Sequence, residues 1–196
     1  ATASGMAIRF RESNSRPMGR NASGVKGIKL AANDRVVGMV VADPEASLLT
    51  ICEHGYGKRT PFGPNAADEP EDAGDVLDDD AQETAAEAGL EVDGEDSEGE
   101  HASSTHHYRT QSRGGKGLRD IKTTARNGKV IGIVRVRDED ELLMISARGK
   151  LQRISANDIS IIGRNTQGVR IMTLDEDDTL VAVKRVPHEE KEMDEG

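Results

Sequence analysis

The stretches Gly149-Lys-Leu-Gln-Arg-Ile154, Ile162-Gly-Arg-Asn-Thr-Gln-Gly-Val169 and Leu180-Val-Ala-Val-Lys-Arg-Val186 decide the fold, because this three-part pattern occurs three times in the chain. A glycine turn leads into a short basic strand. A glycine-rich basic loop follows, and an apolar strand rich in β-branched residues ends the unit. A pattern that returns at a fixed spacing is typical of repeat architectures, so we interpret the chain as a repeat protein.

The other two units have the same parts. In the first unit they are residues 5–10, 18–25 and 36–41, and in the second they are residues 55–60, 111–117 and 130–136. Gly5 and Gly55 are 50 residues apart, whereas Gly55 and Gly149 are 94 apart. The second unit is therefore the same structure with about 43 additional residues inside it.

The apolar segments are short and predict β-strands. They are four to seven residues long, rich in Val and Ile, and bounded by Gly, Asp or Asn. The segments 48–52 and 142–146 end just before a glycine turn, so we expect them to form hairpins with the strands that follow. About four short strands per unit of some fifty residues predict an all-β, propeller-like fold.

The extra residues of the second unit are acidic. The range 63–107 has sixteen Asp and Glu and no Lys or Arg, and the range 187–196 has five acidic residues and one Lys. We expect a disordered insertion and an acidic C-terminal tail. The net charge is −10, yet without these two segments 25 basic and 15 acidic residues remain. A basic body of this kind predicts a polyanionic partner.

Several other functions are disfavoured by the sequence. It has no long apolar run, which argues against a membrane span, and its single cysteine, Cys52, fits a reducing cytosol. The run Gly114-Gly-Lys-Gly117 lacks the spacing of a nucleotide-binding P-loop. His101, His106 and His107 have no metal-ligand spacing around them, so we expect no metal site.

Two stretches, Ile159-Ser-Ile-Ile-Gly-Arg-Asn-Thr-Gln-Gly-Val169 and His54-Gly-Tyr-Gly-Lys-Arg-Thr60, resemble the C-terminal domain of DNA gyrase A. The loop Gln111-Ser112-Arg113-Gly114-Gly115-Lys116-Gly117 looks like the heptapeptide of that family known as the gyrase box, with Ser112 in place of an arginine. In the family the defining box lies in the first blade, so we interpret this loop as its repeat counterpart. The resemblance covers residues 1–62 and 108–186.

The resemblance implies a fold and a function. The fold would be a six-bladed, hairpin-exchanging β-propeller (a β-pinwheel), of which this chain holds about three blades and begins within a blade. The function would be non-specific wrapping of double-stranded DNA in support of ATP-dependent negative supercoiling. ATP and Mg²⁺ would act through the DNA gyrase B protein, within a heterotetramer that includes the N-terminal part of gyrase A. We expect a cytoplasmic, nucleoid-associated protein and no catalytic or cofactor-binding residues in this chain; in particular neither Tyr56 nor Tyr108 lies in a matching catalytic motif.

Basic residues of the loops and hairpin strands are the candidate DNA contacts, because wrapping needs many sequence-independent phosphate contacts. The candidates are Arg20, Lys26, Lys58, Arg59, Arg113, Lys116, Lys150, Arg153, Arg164 and Arg170.

Two other functions stay open from the residues. The chain is also compatible with the C-terminal propeller domain of topoisomerase IV, or with a propeller that binds proteins. Protein-binding surfaces usually present aromatic anchors, and this chain has only two Phe and two Tyr. For the insertion the alternatives are a solvated loop or a segment that competes with DNA for the basic surface.

Overall fold

The computed structural model of the chain describes residues 1–65 and 106–187. Within these ranges the regular structure is almost entirely β-strand, which confirms the predicted all-β class. The two helical segments, Glu12–Asn14 and Ala156–Asp158, are single 3-10 turns. No helix in the described part of the chain is long and apolar enough to cross a bilayer.

The strands of the described residues follow the predicted repeat. In chain order they are β1 (Met6–Ala7), β2 (Ser47–Cys52), β3 (Tyr56–Pro61), β4 (Leu118–Arg119), β5 (Val130–Val136), β6 (Glu141–Ser146), β7 (Leu151–Ser155), β8 (Val169–Arg170) and β9 (Leu180–Val186). The hairpins β2–β3 and β6–β7 lie where the sequence predicted them. Most of the predicted insertion 63–107 and nearly all of the predicted tail 187–196 lie outside the described residues.

The β2–β3 hairpin is extended on both sides into a four-stranded sheet. β2 pairs with β3 and with β5, so that Leu49 lies opposite Arg59 on one side and Val134 on the other. The outer edge of β3 pairs with β8, which places Tyr56 opposite Arg170. Because β8 belongs to the third unit, a strand from the following unit completes the sheet of the second unit.

The same strand exchange links the first two units. β1 of the first unit pairs with β4 of the second, with Met6 opposite Arg119. Val36 forms an antiparallel bridge with Thr2 within the first unit. In the third unit β6 pairs with both β7 and β9. Successive units are therefore tied together by main-chain hydrogen bonds as well as by side-chain packing.

The main hydrophobic core lies between the second and third units. Its buried members are Leu49, Ile51, Val136, Leu142, Met144, Ala156, Ile159, Met172 and Leu180. All six residues of β2 are buried. Since successive side chains of a strand point to opposite faces, both faces of β2 are covered. A second core cluster includes Phe62 and Tyr108, whose ring centroids are 6.2 Å apart.

Glycines at equivalent positions of the three units share positive φ angles, which supports the predicted repeat register. They are Gly5, Gly55 and Gly149 (+87°, +76°, +85°) at the hairpin turns, and Gly24, Gly117 and Gly168 (+77°, +85°, +72°) at the ends of the glycine-rich loops. A side chain with a Cβ atom rarely adopts this conformation, so each turn requires glycine.

The hairpin glycines differ in what surrounds them, which gives a testable prediction. A Cβ atom on Gly55 would lie 2.2 Å from the carbonyl oxygen of Met172, whereas one on Gly149 would have no atom within 4 Å. We expect Gly149→Ala to lower the free energy of unfolding by about 1 kcal/mol through backbone strain alone, and Gly55→Ala by about 3 kcal/mol through strain and the clash. Urea unfolding of both variants measures this difference. Equal losses would contradict the strand exchange at Gly55.

Candidate nucleic-acid interface

The first glycine-rich loop and the box-like loop lie directly against each other. The N–H of Gly114 donates to the carbonyl oxygen of Gly27 at 2.8 Å, and the N–H of Lys29 donates to that of Gly115 at 2.8 Å. The Arg113 guanidinium donates across the same contact to the Asn14 carbonyl oxygen at 2.9 Å. Two loops whose contacting residues are 86 or more positions apart in sequence therefore form one continuous surface.

We call this the paired-loop surface and define it as residues 8–30 and 109–119. It contains ten Lys and Arg and a single acidic residue, Glu12. The predicted contacts Arg20, Lys26 and Lys116 are all exposed on it. An excess of basic over acidic side chains, together with backbone N–H groups, creates a positive potential that attracts phosphate groups.

The glycines of the box-like loop serve the packing of the two loops. Gly114 and Gly117 have positive φ angles of +86° and +85°. A Cβ atom on Gly117 would lie 2.5 Å from the carbonyl oxygen of Ala7 in the first unit. These residues therefore hold the loop close to the preceding unit, and the exposed Lys116 supplies charge between them.

The structure corrects the predicted role of Lys58. Its side chain is 0% exposed, and its ammonium group lies 3.1 Å from a carboxylate oxygen of Asp120. It also donates to the hydroxyl of Thr60 at 3.1 Å and to the carbonyl oxygen of Gly163 at 2.8 Å. Burial lowers the pKa of Lys58, although the Asp120 carboxylate opposes this shift. Lys58 is part of the interior and does not face a DNA partner.

Arg59 and Arg164 are also buried, contrary to the surface position that DNA contact requires. The Arg59 Nε donates to the carbonyl oxygen of Ile159 at 2.8 Å, and its Nη1 lies 2.5 Å from Asp138. The Arg164 Nε donates to the carbonyl oxygen of His107 at 3.0 Å. Arg113 and Arg164 occupy equivalent repeat positions, and each binds a main-chain carbonyl of the preceding unit. The guanidinium groups of these two arginines therefore link successive units through hydrogen bonds.

Lys150 and Arg153 are exposed but paired with carboxylates. Lys150 Nζ lies 3.3 Å from Asp175, and the Arg153 guanidinium binds Glu141. Exposed ion pairs of this kind contribute little to stability and exchange readily with other partners. DNA contact at these two positions stays a prediction.

The remaining predicted residue, Arg170, lies beside an arginine that sequence reasoning missed. Arg170 and Arg126 both donate to the phenolic oxygen of Tyr56, at 2.9 Å and 3.3 Å. The hydrogen bond from Arg126, followed by that from Arg170, lowers the pKa of the Tyr56 phenol. Arg126 lies in a turn before β5, outside the three-part pattern. Its proximity to Tyr56 depends on tertiary structure, so no signal in the repeat pointed to it.

The remaining thiol and phenol of the described residues are buried and packed in the interior. Cys52 is buried, and the loss of solvation raises the pKa of its thiol to about 12. Tyr108 donates its hydroxyl to Asp120 at 2.6 Å, and burial raises the pKa of that phenol well above its usual value. Among the described residues no three His, Cys, Asp or Glu side chains converge on a possible metal position.

Comparison with known proteins identifies the family. The family model described as DNA gyrase C-terminal domain, beta-propeller, matches residues 1–43, 103–137 and 140–187. The DNA gyrase A protein of Salmonella typhimurium strain LT2 is 37% identical over 195 residues, which is 98% of this chain and 17% of that protein. The DNA gyrase A protein of Haloquadratum walsbyi is 38% identical over 199 residues, which is 100% of this chain and 18% of that protein. The chain thus spans less than a fifth of the length of these relatives.

Solved structures agree on the fold. The C-terminal domain of DNA gyrase A superposes with a TM-score of 0.66 at 24% identity, over 94% of this chain and 48% of that one. The C-terminal domain of DNA topoisomerase IV superposes with a TM-score of 0.67 at 18% identity, over 94% of this chain and 45% of that one. At these identities the superpositions establish the fold alone, and the match of the family model establishes the family. The chain therefore belongs to the DNA gyrase C-terminal domain family of β-propellers.

Proposed function

We propose that this chain binds double-stranded DNA without sequence preference and bends it along the propeller surface, as part of a DNA gyrase A protein. The observation that carries the proposal is the paired-loop surface. Two loops from successive units are joined by main-chain hydrogen bonds, and the surface contains ten basic residues against one acidic residue. Continuous positive charge on a rigid β scaffold suits a curved duplex, because bending is driven by phosphate contacts along its path.

The parent enzyme supplies the context for this activity. We propose that the wrapped DNA supports negative supercoiling, with ATP and Mg²⁺ bound by the gyrase B protein and DNA cleaved by the N-terminal part of gyrase A. The complete assembly would be a heterotetramer in the cytoplasm, associated with the nucleoid. The relatives at 37–38% identity are gyrase A proteins, which favours this context over topoisomerase IV. A solely protein-binding role is disfavoured because the paired-loop surface is basic and its residues include no Tyr or Trp.

Binding to linear duplex DNA across a salt series tests the proposal. We expect the logarithm of the association constant to fall steeply and linearly with the logarithm of salt concentration, and two unrelated duplex sequences to bind equally well. Fluorescence anisotropy measures the affinity, and energy transfer between dyes at the two duplex ends measures bending. A folded chain that binds no DNA, or that binds without a salt dependence, would refute the proposed function.

The acidic insertion gives this experiment a second arm. If the insertion competes with DNA for the basic surface, deletion of residues 64–105 should tighten binding and steepen the salt dependence. If the insertion only keeps the domain soluble, the deletion variant should bind with unchanged affinity and unchanged slope. Both outcomes are compatible with DNA binding, so this arm separates the two interpretations of the insertion.

A further inference from the structure

A tyrosine and two arginines form a cluster where the second and third units meet. The guanidinium carbons of Arg126 and Arg170 lie 5.0 Å and 5.4 Å from the centroid of the Tyr56 ring, within the range of cation–π contacts. Both arginines also donate to the phenolic oxygen, at 3.3 Å and 2.9 Å. Tyr56 is 5% exposed, whereas both arginines are exposed. The buried ring therefore holds two cations together at the surface.

Neither cation of this cluster is neutralised by a carboxylate in the part of the chain that the structure describes. Glu53, the acidic side chain packed against the same turn, accepts a hydrogen bond from the N–H of Lys129 at 2.9 Å. Because the donor nitrogens of both arginines contact one oxygen atom, they lie within about 6 Å of each other, and their charges repel. One phosphate group could accept hydrogen bonds from both and relieve this repulsion.

The cluster is specific to one junction of the repeat. Arg119 lies opposite Met6 between the first and second units, in the same register that places Arg170 opposite Tyr56. The arginine on the exchanged strand is thus present at both junctions, but methionine can neither accept a hydrogen bond strongly nor stack with a guanidinium as a phenol does. The second arginine, Arg126, belongs to a turn that is longer by one residue in the second unit than in the third. Tyr56 and Arg126 therefore distinguish this junction.

We propose that Arg126 and Arg170 bind one backbone phosphate of duplex DNA, with Tyr56 as the positioning residue that orients both guanidinium groups. The inference rests on the proposed DNA-binding function and adds a contact point outside the paired-loop surface. Two guanidinium groups that bind the same phosphate near one end of β5 would fix the position at which the duplex crosses from the second unit to the third. Phosphate groups that are fixed in this way set the orientation of a duplex without reading its sequence.

The test compares DNA affinity across a salt series for Arg126→Gln, Arg170→Gln and the double variant. Each single variant should weaken binding about fivefold at 0.1 M salt, and the double variant should lower the magnitude of the salt slope by about 0.9, the value for one phosphate. The double variant should also lose less affinity than the product of the two single losses, because both arginines serve the same phosphate. Tyr56→Phe keeps the ring and removes the shared oxygen, so its loss should be smaller than that of either arginine variant.

Arg137→Gln is the matched control. It removes the same charge at the other end of β5, where Arg137 is paired with Asp43 at 3.0 Å, and should change affinity less than twofold. Unchanged salt slopes in the arginine variants, or an equal loss in Arg137→Gln, would overturn the phosphate site while wild-type binding upholds the proposed function. If the wild-type chain binds no DNA, both proposals fail.

A titration with inorganic phosphate separates DNA from a free anion as the ligand. The chain has two tyrosines and no tryptophan, and the Tyr108 hydroxyl is held in the interior by Asp120, so a ligand-induced change in tyrosine fluorescence reports on Tyr56. We expect duplex DNA to change this fluorescence saturably and inorganic phosphate to do so only weakly. Saturable binding of inorganic phosphate at micromolar concentration, lost in Arg126→Gln, would assign the site to a free phosphate and overturn the DNA contact.

Discussion

Replacing Asp120 by Asn should lower the free energy of unfolding by about 3–5 kcal/mol, because it leaves the Lys58 ammonium group buried without a counter-charge. Lys58 and Asp120 are 0% and 1% exposed, so water cannot replace the lost partner. Asp120 also accepts hydrogen bonds from the hydroxyls of Tyr108 and Thr50, both at 2.6 Å. One carboxylate therefore satisfies three buried donors from different segments of the chain.

The companion variants identify the cause of this loss. Lys58→Met leaves the Asp120 carboxylate without its counter-charge, but it should cost less than Asp120→Asn because two hydroxyl groups still donate to that carboxylate. The double variant should be more stable than Asp120→Asn alone, since it contains no unpaired buried charge. Asp43→Asn breaks an exposed pair with Arg137 and should change stability little. Urea unfolding followed by circular dichroism gives all four values.

The pH dependence provides an independent check. Burial already lowers the pKa of Lys58, and without Asp120 that pKa falls further. The unfolded chain then binds more protons than the folded chain between the depressed pKa and the ordinary value of 10.5. Stability rises with pH wherever the unfolded state binds more protons, so the deficit of Asp120→Asn should shrink as pH rises from 7 toward 10. A deficit that is constant with pH would contradict the buried-charge explanation.

The repeat made most of the fold predictable. The turns need glycine, and the strands between them need apolar residues. Both requirements are local, so they appear in the sequence at a constant spacing. The strand exchange was implied by the resemblance to the family but not by the residues themselves, because β4 and β8 are only two residues long and pair with hairpins of the preceding unit. Pairing of such short segments is decided by tertiary structure and not by local propensity.

The candidate site was only partly predictable for an electrostatic reason. Lys58 follows a glycine in a basic strand and has the composition of a surface residue, yet its partner Asp120 is 62 residues away and follows the box-like loop. No sequence period relates these two positions. The three arginines at equivalent repeat positions show the same limit. Arg20 is exposed, Arg113 binds the neighbouring loop, and Arg164 is buried. Repeat position identifies the backbone conformation but not the partner of a long side chain.

The triple variant Lys26→Gln, Lys29→Gln, Lys116→Gln should bind duplex DNA on the order of 100-fold more weakly than the wild type at 0.1 M salt. All three lysines are exposed on the paired-loop surface. The N–H of Lys29 donates to Gly115, next to Lys116, so the ammonium groups extend from a rigid main-chain junction. If each binds one phosphate, the magnitude of the salt slope should fall by about three, because each phosphate contact contributes about 0.9.

A second triple variant controls for net charge. Gln at Arg137, Arg148 and Lys184 removes three positive charges from exposed positions outside the paired-loop surface. Long-range attraction depends on total charge, so both variants should slow association to a similar degree at low salt. Direct contacts depend on position, so only the paired-loop variant should lower the salt slope by three. Equal slopes in the two variants would mean that DNA contacts are spread over all three units. That result would contradict the role that we propose for the paired-loop surface.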